Sequence, residues 1–246
     1  MNFENNLILK KIILDRERIK DFSKYPFNIE VVKNFKELNI TSPVTFLVGE
    51  YGIGKSTFIE AIAVSIGLPP EGGTQNFRYT TNNTTSNLSS YLKVCTTKVP
   101  ETKFFLRAET FYNFSTEVQR LAEEDDYYEL YNAYGGNLHN CSHGESFLQL
   151  VKNRFSKNGL YILDEPEAAL SPQRQLSLLC LINELVNDGS QFIIATHSPI
   201  LISYRNGKIL DLNNNFEEIN YKETEIYKIY KMYLDNAENM QHRLFD

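Results

Sequence analysis

Cysteine is scarce in this chain. Cys95, Cys141 and Cys180 are its only three, odd in number and far apart, a spacing that fits neither a disulfide framework nor a paired zinc knuckle, so no structural zinc is expected. Long apolar runs are also missing. Stretches such as Gly159-Leu-Tyr-Ile-Leu163 fall far short of the roughly 18 residues that a membrane span requires. The opening Met1-Asn-Phe-Glu4 has no basic start of an export signal. We therefore expect no membrane insertion and a cytoplasmic location, where Asn-x-Ser/Thr triplets such as Asn82-Asn83-Thr84 carry no glycosylation meaning. An excess of positive charge is absent as well. With 25 Lys and Arg against 31 Asp and Glu the formal charge is −6, which excludes a global basic field toward nucleic acid or anionic lipid and leaves a local basic groove open. There are no heptads and no internal repeat, so long coiled-coil arms are excluded. What remains is a chain of 246 residues, 42% hydrophobic, long enough to bury a full core in one large domain or two small ones.

Along the chain, residues 7–14 are rich in Ile and Leu and read as a strand. Val32, Phe35 and Leu38 recur at helical spacing and predict a short helix before Pro43. Val44-Thr-Phe-Leu-Val48 is an unbroken apolar run of the kind buried on both faces of a parallel sheet. Glycines follow, and then Phe58, Ile59, Ile62 and Ile66 form one helical stripe, stopped by Gly67, Pro69 and Pro70. From Thr74 to Ser90 twelve of seventeen residues are Thr, Ser or Asn; such a segment supplies no buried face and reads as a mobile loop or a hairpin tip. Residues 104–108 read as a core strand. Next come the acids of 123–126 with Tyr127, Tyr128, Tyr131 and Tyr134. Tyrosines can stack single-stranded bases, but acids repel phosphate, so a solvated helix face is the reading preferred. A helix over 143–156 carries Phe147, Leu150, Val151 and Phe155 on one stripe, and strands at 160–163 and 192–195 flank a helix opened by Ser171 and Pro172. Ile226, Tyr227, Ile229, Tyr230, Lys231 and Tyr233 predict an amphipathic C-terminal helix packed on the body. Strands alternating with helices in this way predict an α/β fold around a mostly parallel sheet.

Three strings carry chemistry. Gly49-Glu-Tyr-Gly-Ile-Gly-Lys-Ser56 has the pattern G-x-x-x-x-G-K-[ST], placed after a buried strand and before a helix, as a phosphate-binding loop must be. Its glycines Gly49, Gly52 and Gly54 let backbone N–H groups turn inward around phosphates, the helix start at Ser56 and Thr57 adds a favourable dipole, Lys55 reaches the β/γ oxygens and Ser56 holds Mg2+. Leu160-Tyr-Ile-Leu-Asp-Glu165 is an apolar strand ending in two acids at the sheet edge where ligands bind. Asp164 suits the magnesium shell, and Glu165 suits the general base that orients an attacking water. Ser142 and Glu145 stand at S-x-x-E spacing ahead of a helical stripe, as a capping box or an outward-facing anion site.

Taken in order behind the phosphate loop, Ser142-His-Gly-Glu-Ser146, Asp164-Glu-Pro-Glu-Ala-Ala-Leu-Ser171 and Ala195-Thr-His-Ser198 resemble the signature, Walker B with D-loop, and switch-histidine motifs of ABC-type P-loop ATPases. Within that superfamily the chain looks most like small stand-alone ATPases related to the SMC and double-strand-break-repair heads. The resemblance covers the whole chain. It implies one ATPase domain over 1–246, with a helical subdomain over 111–156 that carries the signature, a small antiparallel β region beside the parallel sheet, and ATP with Mg2+ as cofactors. It also implies a homodimer formed on ATP binding, in which Ser142, Gly144 and Glu145 of one protomer meet the γ-phosphate held by the other, while His197 senses that phosphate. Some residues depart from the family pattern. Tyr51 stands where an Asn is common, Ile53 replaces a small residue, Ser171 replaces the D-loop Asp, and Glu109 is the substitute for the Q-loop residue as a metal ligand. Tyr25 and Phe27 either stack adenine or pack in the core, and Cys141 is either a redox site or a small buried residue. The implied role is a switch or motor acting with a nucleic acid or effector protein in DNA maintenance or mobile-element defence. An ATPase subunit of a membrane transporter and a non-hydrolysing dimerisation module are the alternatives.

Overall fold

The computed structural model describes residues 7–74, 86–111, 115–117, 120 and 143–245. The tyrosine-rich segment 123–134, Cys141, Ser142, most of the Thr/Ser/Asn-rich stretch and much of 111–156 lie outside these residues. In chain order the elements are β1 (Leu9–Leu14), α1 (Glu30–Lys33), β2 (Glu37–Asn39), β3 (Val44–Val48), α2 (Lys55–Ser65), β4 (Leu92–Thr96) and β5 (Lys103–Arg107). They are followed by α3 (His143–Arg154), β6 (Leu160–Asp164), α4 (Pro172–Asn187), β7 (Gln191–Ala195), β8 (Gly207–Asp211), β9 (Glu217–Glu218), α5 (Glu225–Asp235) and α6 (Ala237–Phe245).

Two sheets result. The larger has the order β5-β6-β7-β3-β8-β9 and is parallel except for the short β8–β9 pair. The smaller, β2-β1-β4, is antiparallel. Strands β3, β6 and β7 are buried at every residue, because helices or the second sheet cover both faces and continuous apolar runs then have somewhere to go on either side. The period of two sorts the side chains. Phe46, Tyr161, Leu163, Phe192 and Ile194 join the core beneath α3 and α4, which contribute Phe147, Leu150, Leu178 and Ile182. Leu47, Ile162, Ile193 and Ala195 join the opposite core with Phe58, Ile59 and Ile62 of α2 and Ile12 and Leu38 of the antiparallel sheet.

The helix expected through Val32, Phe35 and Leu38 is shorter than its spacing predicts. α1 is a single turn, and Leu38 lies in β2, paired with Ile12. Apolar residues three apart fit one helical turn followed by an edge strand as well as they fit a longer helix. Phe35, between the two elements, packs edge-on to Phe58 with ring centroids 4.9 Å apart. Other boundaries move by one or two residues, as with β5 ending at Arg107 and α3 ending at Arg154. Phe27 is buried against Tyr91, whereas Tyr25 is exposed. The C-terminal α5 packs on the body through Ile226, while Ile229, Tyr230 and Met232 stay exposed.

Candidate functional site

Chain direction places the site. In a parallel sheet all carboxyl ends share one edge, so whatever follows β3, β6 and β7 converges there. After β3 the loop turns through Gly52 and Gly54, both at positive φ. At Gly54 (φ +105°) an added Cβ would lie 2.5 Å from Ile29 Cγ2 and 2.9 Å from Val31 Cγ1, so only glycine lets the loop close against α1. α2 then starts at Lys55, with Ser56 and Thr57 half-buried in its first turn. Lys55 is buried, and its Nζ donates to the carbonyls of Gly49 (2.8 Å) and Glu50 (2.7 Å). Burial lowers its pKa, opposed by the charges of Glu165, Asp164 and Glu167. The Asn213 side chain accepts from the Glu50 N–H at 3.2 Å and steadies the loop from the end of β8.

Asp164 ends β6, buried. The Ser56 hydroxyl donates to its Oδ1 at 3.2 Å, and its Oδ2 lies 3.4 Å from Arg107 Nε at the end of β5. Burial raises its pKa to about 6 against the opposing pull of Arg107. Arg107 also donates to Glu60 of α2 at 2.8 Å, which ties the phosphate-loop helix to the acid-bearing strand. Glu165 adopts the left-handed conformation at φ +48°, and its N–H donates to Ala195 O at 2.9 Å. His197, just beyond β7, brings Nε2 to 3.8 Å from Glu165 Oε1. That Nε2 is buried and has no hydrogen-bond partner. Burial first, and then the Lys55 charge, lower the His197 pKa to about 4, so the ring is neutral at physiological pH. The ring of Tyr51 lies on the imidazole, centroids 4.0 Å apart and planes 6° from parallel.

Lys55, Ser56, Asp164, Glu165 and His197 thus stand together. Gly144 and Glu145, at the start of α3, stand in a second group. A Cβ on Gly144 would meet Arg174 Cδ at 2.8 Å and Ala169 O at 3.0 Å, and Glu145 Oε1 pairs with an Arg174 guanidinium nitrogen at 3.2 Å. Glu109 is exposed on 84% of its side chain and sits 3.7 Å from Arg107, reaching Asp164 only through that arginine. The Ser56 hydroxyl and the Asp164 carboxylate, hard oxygen donors facing each other at the sheet edge, fit a magnesium ion that takes its remaining ligands from water and phosphate.

Sequence reasoning passed over two residues. Arg107 closes an apolar strand with a polar residue, the same signal that marked Asp164. Glu167 belongs to the quoted Asp164-Glu-Pro-Glu string, yet its role appears only in space. Its carboxylate accepts from the Thr196 hydroxyl at 2.7 Å and from the His197 N–H, pinning the histidine-bearing turn to the segment after β6.

Comparison with known proteins bears on the fold and on one segment of the chain. A family profile described as the AAA ATPase domain matches residues 142–202, the stretch from α3 past His197. No curated protein matches the chain. Among solved structures, cbiO1 from Clostridium perfringens, described as part of the ABC transporter complex cbiONQ, superposes with a TM-score of 0.51 at 18% identity, over 97% of this chain and 99% of that one. The ADP conformation of an ATP-binding cassette of an ABC transporter gives a TM-score of 0.48 at 16% identity, over 92% and 98% of the two chains. The SMC head domain from Thermotoga maritima gives 0.42 at 16% identity, over 83% and 95%. The fold is that of ATP-binding cassettes, a mostly parallel α/β sheet flanked by helices with a small antiparallel sheet beside it. The α/β fold read from the sequence is therefore found in a solved ABC transporter component, and the segment from α3 past His197 matches an ATPase profile.

Proposed function

We propose that the chain is a magnesium-dependent ATPase that works as a nucleotide-sandwich dimer, a switch or motor in DNA maintenance or mobile-element defence. The observation that carries the ATPase reading is the convergence of Lys55, Ser56, Asp164, Glu165 and His197 at the carboxyl ends of β3, β6 and β7. The loop N–H groups and the start of α2 would bind the phosphates. Lys55, whose ammonium now satisfies two loop carbonyls, would turn to the β/γ oxygens. Ser56 and Asp164 would hold Mg2+, with Glu109 at the rim, and the ion would neutralise charge gathering on the phosphoryl group. Glu165 is the base for the attacking water, and neutral His197 contacts the γ-phosphate.

In this reading Ser142, Gly144 and Glu145 of one protomer face the nucleotide of its partner. The single domain over 1–246, the helical subdomain over 111–156 and the cytoplasmic setting belong to the same proposal. Hydrolysis tests its centre. Lys55→Ala should abolish ATP binding, whereas Glu165→Gln should bind ATP and fail to turn it over; full turnover in Glu165→Gln would refute the base. Stimulation by DNA or RNA that weakens with added salt supports the nucleic-acid role. Co-purification of a polytopic membrane protein, with no such stimulation, would favour the transport role printed for cbiO1.

A further inference from the structure

The phosphate loop uses its backbone to bind anions, and a large aromatic side chain on it is unnecessary for that task. Tyr51 is such a side chain. The residue is 79% exposed, yet one face of its ring covers the imidazole of His197 at 4.0 Å and 6°, and Lys55 Nζ lies 5.6 Å from its centroid. That imidazole is largely buried, and hydrogen bonding does little to orient it. Its Nε2 has no hydrogen-bond partner, and the Glu165 carboxylate stands 3.8 Å away, beyond hydrogen-bond length. The bond to Glu167 fixes the backbone N–H of His197 and does not set the orientation of its ring. Beyond Tyr51 a cavity of about 370 Å³ opens toward α5, bounded by Ile226, Ile229 and Tyr230. Both Tyr51 and His197 line that cavity, so the stacked pair borders open space and the ring contact is what joins them.

We propose that Tyr51 is a positioning residue for hydrolysis: its ring face holds the imidazole of His197 edge-on to Glu165, where the γ-phosphate and the attacking water meet. The inference rests on the ATPase reading above. The ring contributes to orientation and not to phosphate binding, so its loss should appear in kcat and spare KM. Stacked rings hold each other with a strength that corresponds to roughly a two- to twelve-fold change in an equilibrium. We expect Tyr51→Ala to lower kcat about five- to ten-fold with KM for ATP within about two-fold of wild type, and Tyr51→Phe to restore most of the loss, because the ring does the work and the hydroxyl does not.

Wild-type kcat in Tyr51→Ala would overturn the proposal, as would a Tyr51→Phe variant as slow as Tyr51→Ala. A second measurement is independent of turnover. The chain contains no tryptophan, so Tyr51→Trp carries the single indole. Indole emission moves to longer wavelength as its ring is exposed to water, so adding His197→Ala, which uncovers one face, should red-shift the emission maximum. An equal maximum with and without His197 would show that the rings do not stack. A wild-type protein that hydrolyses no ATP would sink the ATPase reading, and the tryptophan emission would still decide the contact.

Discussion

Two neighbouring residues at the site titrate abnormally and in opposing senses for stability. Asp164 is buried, and its pKa rises from an ordinary 3.8 to about 6. A raised acid contributes stability that is fully present below pH 3.8 and is lost as pH climbs through 6. His197 falls from 6.5 to about 4. A depressed base contributes stability that is present above pH 6.5 and is lost as pH drops through 4. The two contributions slope in opposite directions, so in the wild type they offset each other between about pH 4 and 6.5. Single substitutions should unmask them. In the absence of nucleotide and metal, Asp164→Asn should lose stability relative to wild type as pH falls across this window, and His197→Gln should lose it as pH rises. Urea midpoints taken at half-unit intervals give the two difference curves. Half-buried Glu60 and Glu167, whose pKa values are also raised, add slopes of the same sign as Asp164 in every variant, so each curve is read as a difference from wild type. Difference curves that are flat for both variants would mean that neither group is desolvated as the geometry requires.

Among the elements, those of the parallel sheet were legible and the joint between the two sheets was not. β3, β6 and β7 are apolar at nearly every residue because both their faces are covered, and that pattern is visible in one dimension. The start of α4 was equally readable, since Ser171 caps it and Pro172 opens it. The joint depends on Gln191, a polar residue at the start of β7 whose partners lie more than 180 positions away. Its buried amide oxygen accepts from the N–H groups of Ile8 (2.9 Å) and Leu9 (2.8 Å), and its amide nitrogen donates to Leu9 O (2.9 Å). It therefore stitches the leading end of β1 to the parallel sheet. No local signal distinguishes such a glutamine from an exposed one. Gln191→Leu keeps the bulk and leaves these backbone groups without their buried partner, at about 1–3 kcal/mol for each one stranded. A loss of about 3 kcal/mol or more in unfolding free energy is expected, together with faster amide exchange over residues 8–14. Exchange that is unchanged there would show that pairing with β2 and β4 suffices to hold β1 in place.

For the molecule as a whole, the five residues of the candidate site come from three distant stretches of chain. They were legible because each ends or follows a parallel strand, and such ends share one edge whatever the sequence distance. Arg107 obeys the same rule, while Glu167 and the stacking of Tyr51 follow from loop conformations that no spacing encodes. One half of the proposed chemistry is not gathered within the chain. Gly144 and Glu145 close on Ala169 and Arg174, a grouping separate from Lys55 and Glu165. If the start of α3 serves a γ-phosphate, that phosphate belongs to a second copy, and ATP must act as the contact between copies. Dimerisation should then require bound, unhydrolysed ATP. Glu165→Gln supplies that state, since it keeps the phosphate loop and removes the base. Light scattering on a sizing column should find it at 28.5 kDa without nucleotide and at twice that mass with Mg-ATP. Lys55→Ala should stay at the lower mass under both conditions. Unchanged mass in Glu165→Gln while calorimetry records bound ATP would overturn the sandwich and assign the start of α3 to a different partner protein.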